Sequence, residues 1–464
     1  MKKNFTSTWA MLGILIGLVG WYVLYESRYK PELKEKEDNT KKLVTLVADE
    51  VTEFKLSRGK TPSIEIKKTG PDWYIVAPIQ SKADSVVVSS LLTSVCSAKQ
   101  ERVVDEKPSD LSVFGLKDPQ VTISLKKDST SPSQEIAIGN DTPVAYSLYA
   151  KTNQSDEVFK TSRTLKSAID KDLFALRDKS VVAVSRNEIL EVEIQNGKEN
   201  LVLTRTGNNL KENWTLSREN LPADSGEWNK TLNTLIELKA SKIAAETTDN
   251  LAEFNLNKPF AKITFVKADK KRIHLTLGKT KQGLFARTDN RDTISEVDKT
   301  VEEKINLPSS HYHSKQIASF DRFEIKKIRW VRGSSSVEIS KLDGSDWKFS
   351  DGDQTKIDSA RVDSFLTNLQ DIQLKKYLTK KTSIPSDPSS VTILLFENTA
   401  QDAKEALSLS LIKSAPNLAL GRNSSVPYPF ELAIEDYNKL NVFKQTLIKT
   451  EQKPGEADKL PKKS

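Results

Sequence analysis

Three tryptophans mark a unit that recurs along the chain. Each stands ten or eleven residues before an aspartate, and the pairs are Trp73 with Asp84, Trp214 with Asp224, and Trp347 with Asp358. An amphipathic stretch follows each aspartate, and successive copies lie roughly 130 to 140 residues apart. A single hydrophobic core rarely serves more than about 300 residues. The recurrence therefore predicts that this chain of 464 residues folds as three tandem modules.

Short runs of alternating apolar and polar residues precede each tryptophan. In the first copy they lie between Val51 and Pro78 and are broken by Gly59 and Gly70. Alternation with a period of two, interrupted by glycine, indicates strands joined by tight turns. Matching runs in the later copies are Ile189–Ile194, Leu201–Leu203, Ile325–Val331 and Val337–Ile339. Each tryptophan is then predicted to fill the core where the sheet meets a helix. Stacking on a ligand is the alternative interpretation.

The three aspartates are predicted to cap helices. Apolar residues follow them at offsets of four, eight and eleven, which fall on one helical stripe; they are Val88, Leu92, Val95, Trp228, Leu232, Leu235, Val362, Leu366 and Leu369. A side-chain oxygen one turn before such a stripe accepts hydrogen bonds from the free N–H groups of a helix start. Glu227, three residues after Asp224, completes a capping-box pattern. Catalysis or metal binding is the alternative role for these aspartates, but capping accounts for their spacing.

A second motif recurs in the first two copies. It comprises Leu111–Leu116 followed by Pro119, and Leu251–Leu256 followed by Pro259. Gly115 and Asn255 occupy the same place, and both residue types readily accept a left-handed backbone. The motif predicts a helix C-terminus with a Schellman motif and an apolar contact between the first and last leucine. The third copy offers only Pro385 and Pro388 and is predicted to be divergent.

Strand patterns resume after this motif. The segments are Val121–Leu125, Glu135–Ile138, Ala145–Tyr149, Lys262–Val266, Ile273–Leu277, Leu284–Ala286, Val391–Phe396 and Leu407–Ile412. Gly139 and Gly278 close matching strands, whereas Lys413 stands where the third copy would have glycine. Each module is expected to be α+β, mostly antiparallel, with a helix packed on one face. The predicted modules span residues 45–183, 184–322 and, in the divergent copy, 323–450.

An uncharged segment of 21 residues, Phe5–Tyr25, precedes the modules. As a helix it would be about 31 Å long, close to the hydrocarbon thickness of a bilayer. Lys2 and Lys3 stand before it, so the positive-inside bias favours a cytoplasmic N-terminus. We expect a single-pass signal anchor. A cleaved signal peptide is the alternative, but bulky residues end the apolar run where a cleavage site needs small ones.

A membrane anchor at residues 5–25 implies further segments on either side of it and after the modules. The predicted segments are a cytoplasmic N-terminus over residues 1–4, the transmembrane anchor over 5–25, a charged stalk over 26–44 and a disordered tail over 451–464. Gly13, Gly17 and Gly20 fall on one face of the anchor and include a G-x-x-x-G spacing, which lets another helix approach closely. The ordinary glycine content of membrane helices is the alternative explanation.

The sequence contains few motifs that indicate a catalytic or metal-binding site. There are three histidines, and His311 and His313 flank Tyr312 without a Cys or Glu beside them, so they supply half a metal site. The P-loop, G-x-S-x-G and H-E-x-x-H patterns are missing from the sequence. The single cysteine, Cys96, lies among apolar residues and is predicted to be buried. We therefore predict no catalytic, cofactor-binding or metal-ligating residue.

Charge gives little sign of a nucleic-acid partner. Lys and Arg number 71 against 63 Asp and Glu, a net charge of +8 that is spread along the chain instead of clustered. Nucleic-acid binding is not expected.

The anchor and the repeats together resemble one bacterial family. The Ala-Asp helix starts at Ala83 and Ala223, the F-G-L-x-x-P turn from Phe114 to Pro119 and the Ile138-Gly139 strand end are similar to the family called domain of unknown function 4340. The third copy, with Ile357 before its aspartate, matches weakly. The resemblance implies a single-span membrane protein that accompanies ABC-type transporter components similar to gliding-motility auxiliaries. It brings no catalytic residues.

These observations together lead to one expected function and two alternatives. We expect a non-enzymatic, membrane-anchored scaffold or binding subunit, accessory to an ABC-type transport system. It would lie in the bacterial cytoplasmic membrane with its bulk in the periplasm, and its partners would be the bilayer and permease subunits. One alternative is an envelope hydrolase of glycan or peptide with carboxylates at a module interface. The other is a protein that binds an anionic envelope polymer, in which case moderate salt would weaken the binding.

Overall fold

A computed structural model describes residues 6–25, 41–143, 146–206, 213–341, 346–384, 387–400 and 402–448. The described chain is α+β with three antiparallel sheets, so the expectation of three α+β sheet modules is confirmed. It forms two compact units, residues 1–180 with 240–243 and residues 181–239 with 244–464. Four expectations lie outside the described residues: the N-terminus over 1–4, most of the stalk over 26–40, Pro385, and the tail over 451–464.

Helix α1 spans Thr6–Leu24 and contains 19 residues. Its described side chains, from Leu15 to Tyr25, are all exposed. Across the part of the chain that the structure describes, no helix reaches the combined length and apolarity that a membrane crossing requires.

The first unit holds a nine-stranded sheet whose order is β4-β3-β2-β1-β6-β7-β8-β9-β5. Its strands are β1 Glu53–Arg58, β2 Ile64–Thr69, β3 Asp72–Ala77, β4 Ser81–Lys82, β5 Arg102–Asp105, β6 Val121–Lys126, β7 Gln134–Asp141, β8 Ser147–Thr152 and β9 Val158–Ser162. Alternate residues of β6 are buried, which places one face of the sheet on the core. Helices α2 Ser85–Cys96, α3 Arg163–Ile169 and α4 Leu173–Leu176 complete the module.

The second sheet repeats this order, as β13-β12-β11-β10-β15-β16-β17-β18-β14. Its strands are β10 Ile189–Gln195, β11 Asn200–Thr206, β12 Asn213–Leu216, β13 Leu221–Pro222, β14 Ala240–Ala245, β15 Ala261–Lys267, β16 Arg272–Lys279, β17 Leu284–Thr288 and β18 Ile294–Val297. Its helices are α5 Ser225–Ile236 and α6 Thr300–Ile305. The shared strand order shows that the recurrence in the sequence is a recurrence of topology.

The third sheet belongs to the second unit and has eight strands in the order β21-β20-β19-β23-β24-β25-β26-β22. They are β19 Lys327–Arg332, β20 Ser335–Lys341, β21 Trp347–Phe349, β22 Lys376–Tyr377, β23 Val391–Phe396, β24 Glu405–Ala415, β25 Leu418–Asn423 and β26 Phe430–Ala433. Helices α7 Ser359–Asp371, α8 Ile434–Leu440 and α9 Lys444–Leu447 accompany it. In the described part of this module no strand corresponds to β4 or β13 beyond β21.

Each of the three aspartates lies directly before a helix and binds its first free N–H groups. Asp84 Oδ1 accepts from the N–H groups of Val86 and Val87, both at 3.1 Å, at the start of α2. Asp224 Oδ1 accepts from Glu227 N–H at 3.0 Å, and Asp358 Oδ1 accepts from Ala360 N–H at 3.1 Å. The predicted capping box is wrong in one respect, because the Glu227 side chain binds Lys230 and His311 instead of turning back to the cap.

Removing a cap should destabilise the unit that contains it by a modest amount. Replacing any one of the three aspartates with alanine should lower the free energy of unfolding by about 1 kcal/mol; the variants are Asp84→Ala, Asp224→Ala and Asp358→Ala. In each case only one or two helix N–H groups lose their acceptor. Asp→Asn at the same positions keeps an acceptor oxygen and should cost only a few tenths of that. Urea midpoints of the full chain measure both series. A loss for Asp→Asn equal to that for Asp→Ala would argue that the negative charge, and not the cap, matters.

The motif from Leu111 to Leu116 ends a short helix with a left-handed C-cap, as predicted, but that helix is of the 3-10 type. In the first copy a single 3-10 turn spans Leu111–Phe114, and Gly115 follows with φ of 68°. Leu116 N–H donates to Leu111 O at 2.9 Å, which is the bond of a Schellman motif. Asp110 caps this turn from the other side by accepting from Ser112 N–H, so too few residues remain between cap and glycine for an α-helix. Asn255 has φ of 54° in the second copy.

The two glycines that end matching strands accommodate this turn. A Cβ on Gly139 would lie 2.1 Å from Phe114 O, and a Cβ on Gly278 would lie 2.0 Å from Phe254 O. The turn backbone therefore packs directly on the strand, and only glycine leaves room for it. The third module departs from this arrangement, since β24 continues through Lys413 without a glycine there.

Candidate functional site

A short joining segment, residues 313–317, ties the second and third sheets together within the second unit. Ser314 N–H donates to Pro222 O at 2.9 Å, at the end of β13. On its other side, Leu374 N–H donates to Lys315 O at 2.8 Å, and the Asn423 side-chain N–H donates to Ile317 O at 2.8 Å. The segment thus has hydrogen-bonded neighbours from both modules, and it positions the side chains described below.

A cleft of about 290 Å³ lies along this joining segment. Its floor is apolar and is formed by the buried side chains of Trp214, Ile317, Ala318, Leu374 and Phe430. Hydroxyl and amide groups form its rim, and the exposed ones belong to Thr206, Asn213, Ser225, Gln316, Ser319 and Ser425. None of the described residues that line it carries a charge, although 29% of the whole chain is charged. We call this site the neutral cleft.

The rim groups are available to a ligand. Within the described residues, the side chains of Ser225, Gln316 and Ser319 make no hydrogen bond to the protein. Each can donate and accept, because hydroxyl and carboxamide groups carry both functions. The neutral cleft therefore offers unused donors and acceptors above an apolar floor.

Tyr377 borders the cleft and is held by the joining segment. Its hydroxyl donates to Ser314 O at 3.0 Å, and its ring meets the His313 ring edge-on with centroids 5.8 Å apart. Burial raises the pKa of Tyr377 to about 12, because the phenolate would lose its hydration.

This shift predicts a late alkaline transition. The fold favours the neutral phenol, so its contribution to stability is complete below pH 10, the ordinary pKa, and is lost as pH rises toward 12. The absorbance difference between the full chain and Tyr377→Phe should show one phenolate forming near pH 12. A phenolate that forms near pH 10 in the folded chain would contradict the burial of this ring.

Both histidines beside Tyr312 pair with a glutamate. His311 Nε2 lies 3.0 Å from Glu227 Oε2, and His313 Nε2 lies against the carboxylate of Glu219. Lys230, followed by His311, holds the pKa of Glu227 below its usual value. No Glu stands beside these histidines in the linear sequence. The bridge between Ala223 and His313 brings together residues that are distant in the chain, which places Glu219 and Glu227 next to them. Among the described residues no group of three or more such side chains could hold a metal ion.

Tyr312 itself is fully buried between the two histidines. Its hydroxyl donates to Lys304 O at 3.0 Å and lies 3.1 Å from Thr231 Oγ1. Its carbonyl oxygen accepts from Asp224 N–H at 2.8 Å, so the cap of α5 and the joining segment share one hydrogen-bond network. This arrangement serves to anchor the segment that carries the cleft.

The residues singled out in the sequence are distributed over the modules. Asp84, Asp224 and Asp358 each lie at their own helix start, and Trp73 and Trp347 are buried in the cores of the first and third modules. Trp214 is buried too and backs the neutral cleft. Gly115 and Asn255 lie in turns, and nothing approaches a Cβ on Gly17 or Gly20 within 4 Å. Gly13 lies in α1. The cleft itself was not predicted.

The fold defines a protein of tandem, antiparallel α+β sheet modules. Two segments of the chain, residues 73–216 and 214–390, match one family, described as domain of unknown function (DUF4340). The chain belongs to this family, and the family expected from the repeats is confirmed. Each match begins at one of the recurring tryptophans, Trp73 or Trp214.

Similarity to other known proteins adds little. No curated protein matches the chain. A crystal structure of the DNA polymerase III subunit beta from Pseudomonas aeruginosa is 8% identical and covers 82% of this chain and 91% of its own, with a TM-score of 0.14. A DNA polymerase sliding clamp from the same organism, with ligand, is 9% identical over 84% and 92%, with a TM-score of 0.15. TM-scores this low support no argument about fold or function.

Proposed function

We propose that this protein is a non-enzymatic scaffold or binding subunit tethered to the bacterial cytoplasmic membrane by its N-terminal segment, Phe5–Tyr25. The proposal depends mainly on the uncharged segment Phe5–Tyr25. Its described apolar side chains are widely exposed, with Ile16 and Trp21 each at 64%. Contiguous exposed apolar surface is costly in water, and a lipid environment would cover it. Lys2 and Lys3 before the segment favour a cytoplasmic N-terminus with the modules in the periplasm.

The repeated residues support a binding role in place of catalysis. The three aspartates are engaged with helix N–H groups, and the recurring tryptophans are buried in cores. Their recurrence thus has a sufficient explanation in folding. Tandem modules suit simultaneous contacts with a large partner, because linked sites raise each other's effective concentration.

The first alternative function, an envelope hydrolase, would be supported by a cleft between modules that is lined with carboxylates. The neutral cleft is lined by hydroxyl, amide and apolar groups. Another cleft of about 290 Å³ in the second unit is lined in part by Lys198, Glu199, Arg218 and Glu219, so its charges are of both signs. A binder of anionic polymer would be favoured by lysine or arginine at such a site, and the described lining residues of the neutral cleft include neither. The neutral cleft therefore favours neither alternative.

The proposed partner is the permease of an ABC-type transport system, in keeping with the family resemblance. Gly17 and Gly20 lie on one face of α1, with open space where their side chains would be. Small residues on such a face allow a membrane helix of a partner to approach closely.

Co-purification from native membranes tests this proposal. The full chain, extracted in mild detergent, should carry a multi-span permease subunit in a constant ratio. Gly17→Leu should reduce that recovery at least severalfold, because leucine blocks close helix approach. Val19→Leu, two residues along and on the opposite side of α1, is the matched control and should leave recovery unchanged. Recovery of the chain alone, without any transporter subunit, would count against the proposal.

A further inference from the structure

We infer that the neutral cleft binds an uncharged sugar, one or two residues of a glycan chain. The inference deepens the proposed binding function and rests on it. It starts from the pairing of apolar lining residues with a rim of hydroxyl and amide groups. The side chains of Ser225, Gln316 and Ser319 on that rim make no hydrogen bond within the described residues.

The chemistry of the cleft matches the two kinds of surface on a sugar ring. A pyranose presents patches of C–H groups on its faces and hydroxyls around its edge. Pro222, Val426 and the ring of Tyr377, which line the cleft and are at least partly exposed, offer apolar surface to such C–H groups. Gln316, Ser319 and Ser225 on the rim offer paired donor and acceptor functions to the hydroxyls. A few placed polar groups over an apolar base are typical of small-ligand sites.

The lack of charge selects the class of ligand. An anionic ligand is ordinarily recognised by Arg or Lys, and a cationic one by Asp or Glu. The described lining residues contain none of these, in a chain where 29% of residues are charged. A charged ligand would therefore lose hydration on entry without gaining an ionic partner among the described lining residues. An uncharged, hydroxyl-rich ligand avoids that cost.

A peptide added as an extra strand fits less well. Strand addition needs free backbone N–H and C=O groups at an open edge. Along the joining segment, Ser314 N–H, Lys315 O and Ile317 O are already hydrogen-bonded to Pro222, Leu374 and Asn423. The free groups of the cleft belong to side chains. The volume of about 290 Å³ lies at the lower end of the range for small-ligand sites, which suits one or two sugar rings.

Saturation-transfer NMR on the full chain tests the inference directly. The probes are cellobiose, maltose and N,N′-diacetylchitobiose, with a hyaluronan disaccharide as a carboxylate-bearing counterpart. The detergent must lack a sugar headgroup, so an amine oxide is used. We expect saturation transfer to at least one neutral disaccharide, and less to the charged one. Gln316→Ala and Ser319→Ala should each weaken binding about tenfold, through loss of hydrogen bonds to the ligand.

Gln373→Ala is the matched control. Gln373 is an exposed glutamine bridged to Gln316 in the backbone, but it does not line the cleft, so its removal should leave binding unchanged. Near-UV circular dichroism checks that each variant is folded. If Gln316→Ala does not fold, the Ser319→Ala variant tests the cleft in its place.

Three results would overturn the inference. The first is no transfer to any neutral disaccharide at about 10 mM, where a site with a millimolar Kd would be filled. The second is an equal effect of Gln316→Ala and Gln373→Ala. The third is binding of an uncharged peptide, such as trialanine blocked as its N-acetyl C-terminal amide, in place of sugars. Failure here leaves the co-purification result untouched, since that result depends on α1 and not on the cleft.

Discussion

Replacing Gly278 with alanine should lower the free energy of unfolding of the second unit by about 3 kcal/mol, the upper part of the range for an overpacked core. The new Cβ would lie 2.0 Å from Phe254 O, and a backbone atom cannot move aside as a flexible side chain can. The strand or the turn must shift instead. Gly139→Ala should act in the same way in the first unit, where the added Cβ would lie 2.1 Å from Phe114 O.

The control for this experiment is Gly283→Ala, in the turn directly before β17 of the same sheet. A Cβ there would lie 3.3 Å from Glu296 Oε1, at the far end of a flexible side chain and not at a backbone atom. Its cost should stay below about 0.5 kcal/mol, as for most surface substitutions. Urea unfolding of the full chain, followed by tryptophan fluorescence, measures both variants. Equal stabilities of Gly278→Ala and Gly283→Ala would contradict the close packing of turn on strand.

Trp228→Ala is expected to cost about 4 kcal/mol, in the range for large aromatic residues removed from a core. Trp228, Trp214 and Tyr312 are all fully buried and stack edge-on, with ring centroids 5.5 and 5.7 Å apart. Because Tyr312 O accepts from Asp224 N–H, loss of the stack should also loosen the joining segment. Limited proteolysis should then cut within residues 309–319 faster than in the original chain.

Trp228→Phe separates packing from polarity at this site. Trp228 Nε1 is buried with no hydrogen-bond partner among the described residues, so phenylalanine loses volume but no hydrogen bond. Its cost should be clearly smaller than that of alanine. If Trp228→Ala were no more sensitive to urea or protease than Trp228→Phe, the stack would not be what secures the joining segment.

The regular elements of each module could be predicted from the sequence because their patterns are local. Helix α7 begins one residue after Asp358 and buries Val362, Leu366 and Leu369, the three residues of the predicted stripe. Strand β23 spans Val391–Phe396, the same residues as the predicted segment. In both cases the apolar pattern that predicts burial lies within one short continuous segment, and a polar cap or turn residue marks where the element begins or ends.

The missed elements depend on distant partners. Strands β4, β13 and β22 have two residues each, too few to show an alternation. Strand β5 is paired with β9, more than fifty residues away, and its own burial pattern contains no fully buried residue. Pairing with a distant strand, and not the local sequence preference, determines whether such segments form strands.

The neutral cleft was missed for a similar reason. Gln316 and Ser319 come from the joining segment and the residues just after it, Ser225 from the start of α5, and Phe430 from the last strand of the third sheet. Serine and glutamine at such scattered positions look like ordinary surface residues until the fold gathers them. Residues 314–319, Ser-Lys-Gln-Ile-Ala-Ser, show no periodic pattern that would single them out.

We propose that the segment Phe5–Tyr25 holds the modules outside the cytoplasm, and labelling of a single cysteine tests this claim most directly. Cys96 provides a silent background, because it is buried and burial raises the pKa of its thiol to about 11. Ser334→Cys introduces one exposed thiol in the turn between β19 and β20. In intact spheroplasts a membrane-impermeant maleimide should label Ser334→Cys and leave the original chain unlabelled. Labelling of Ser334→Cys only after the membrane is broken would contradict the claim.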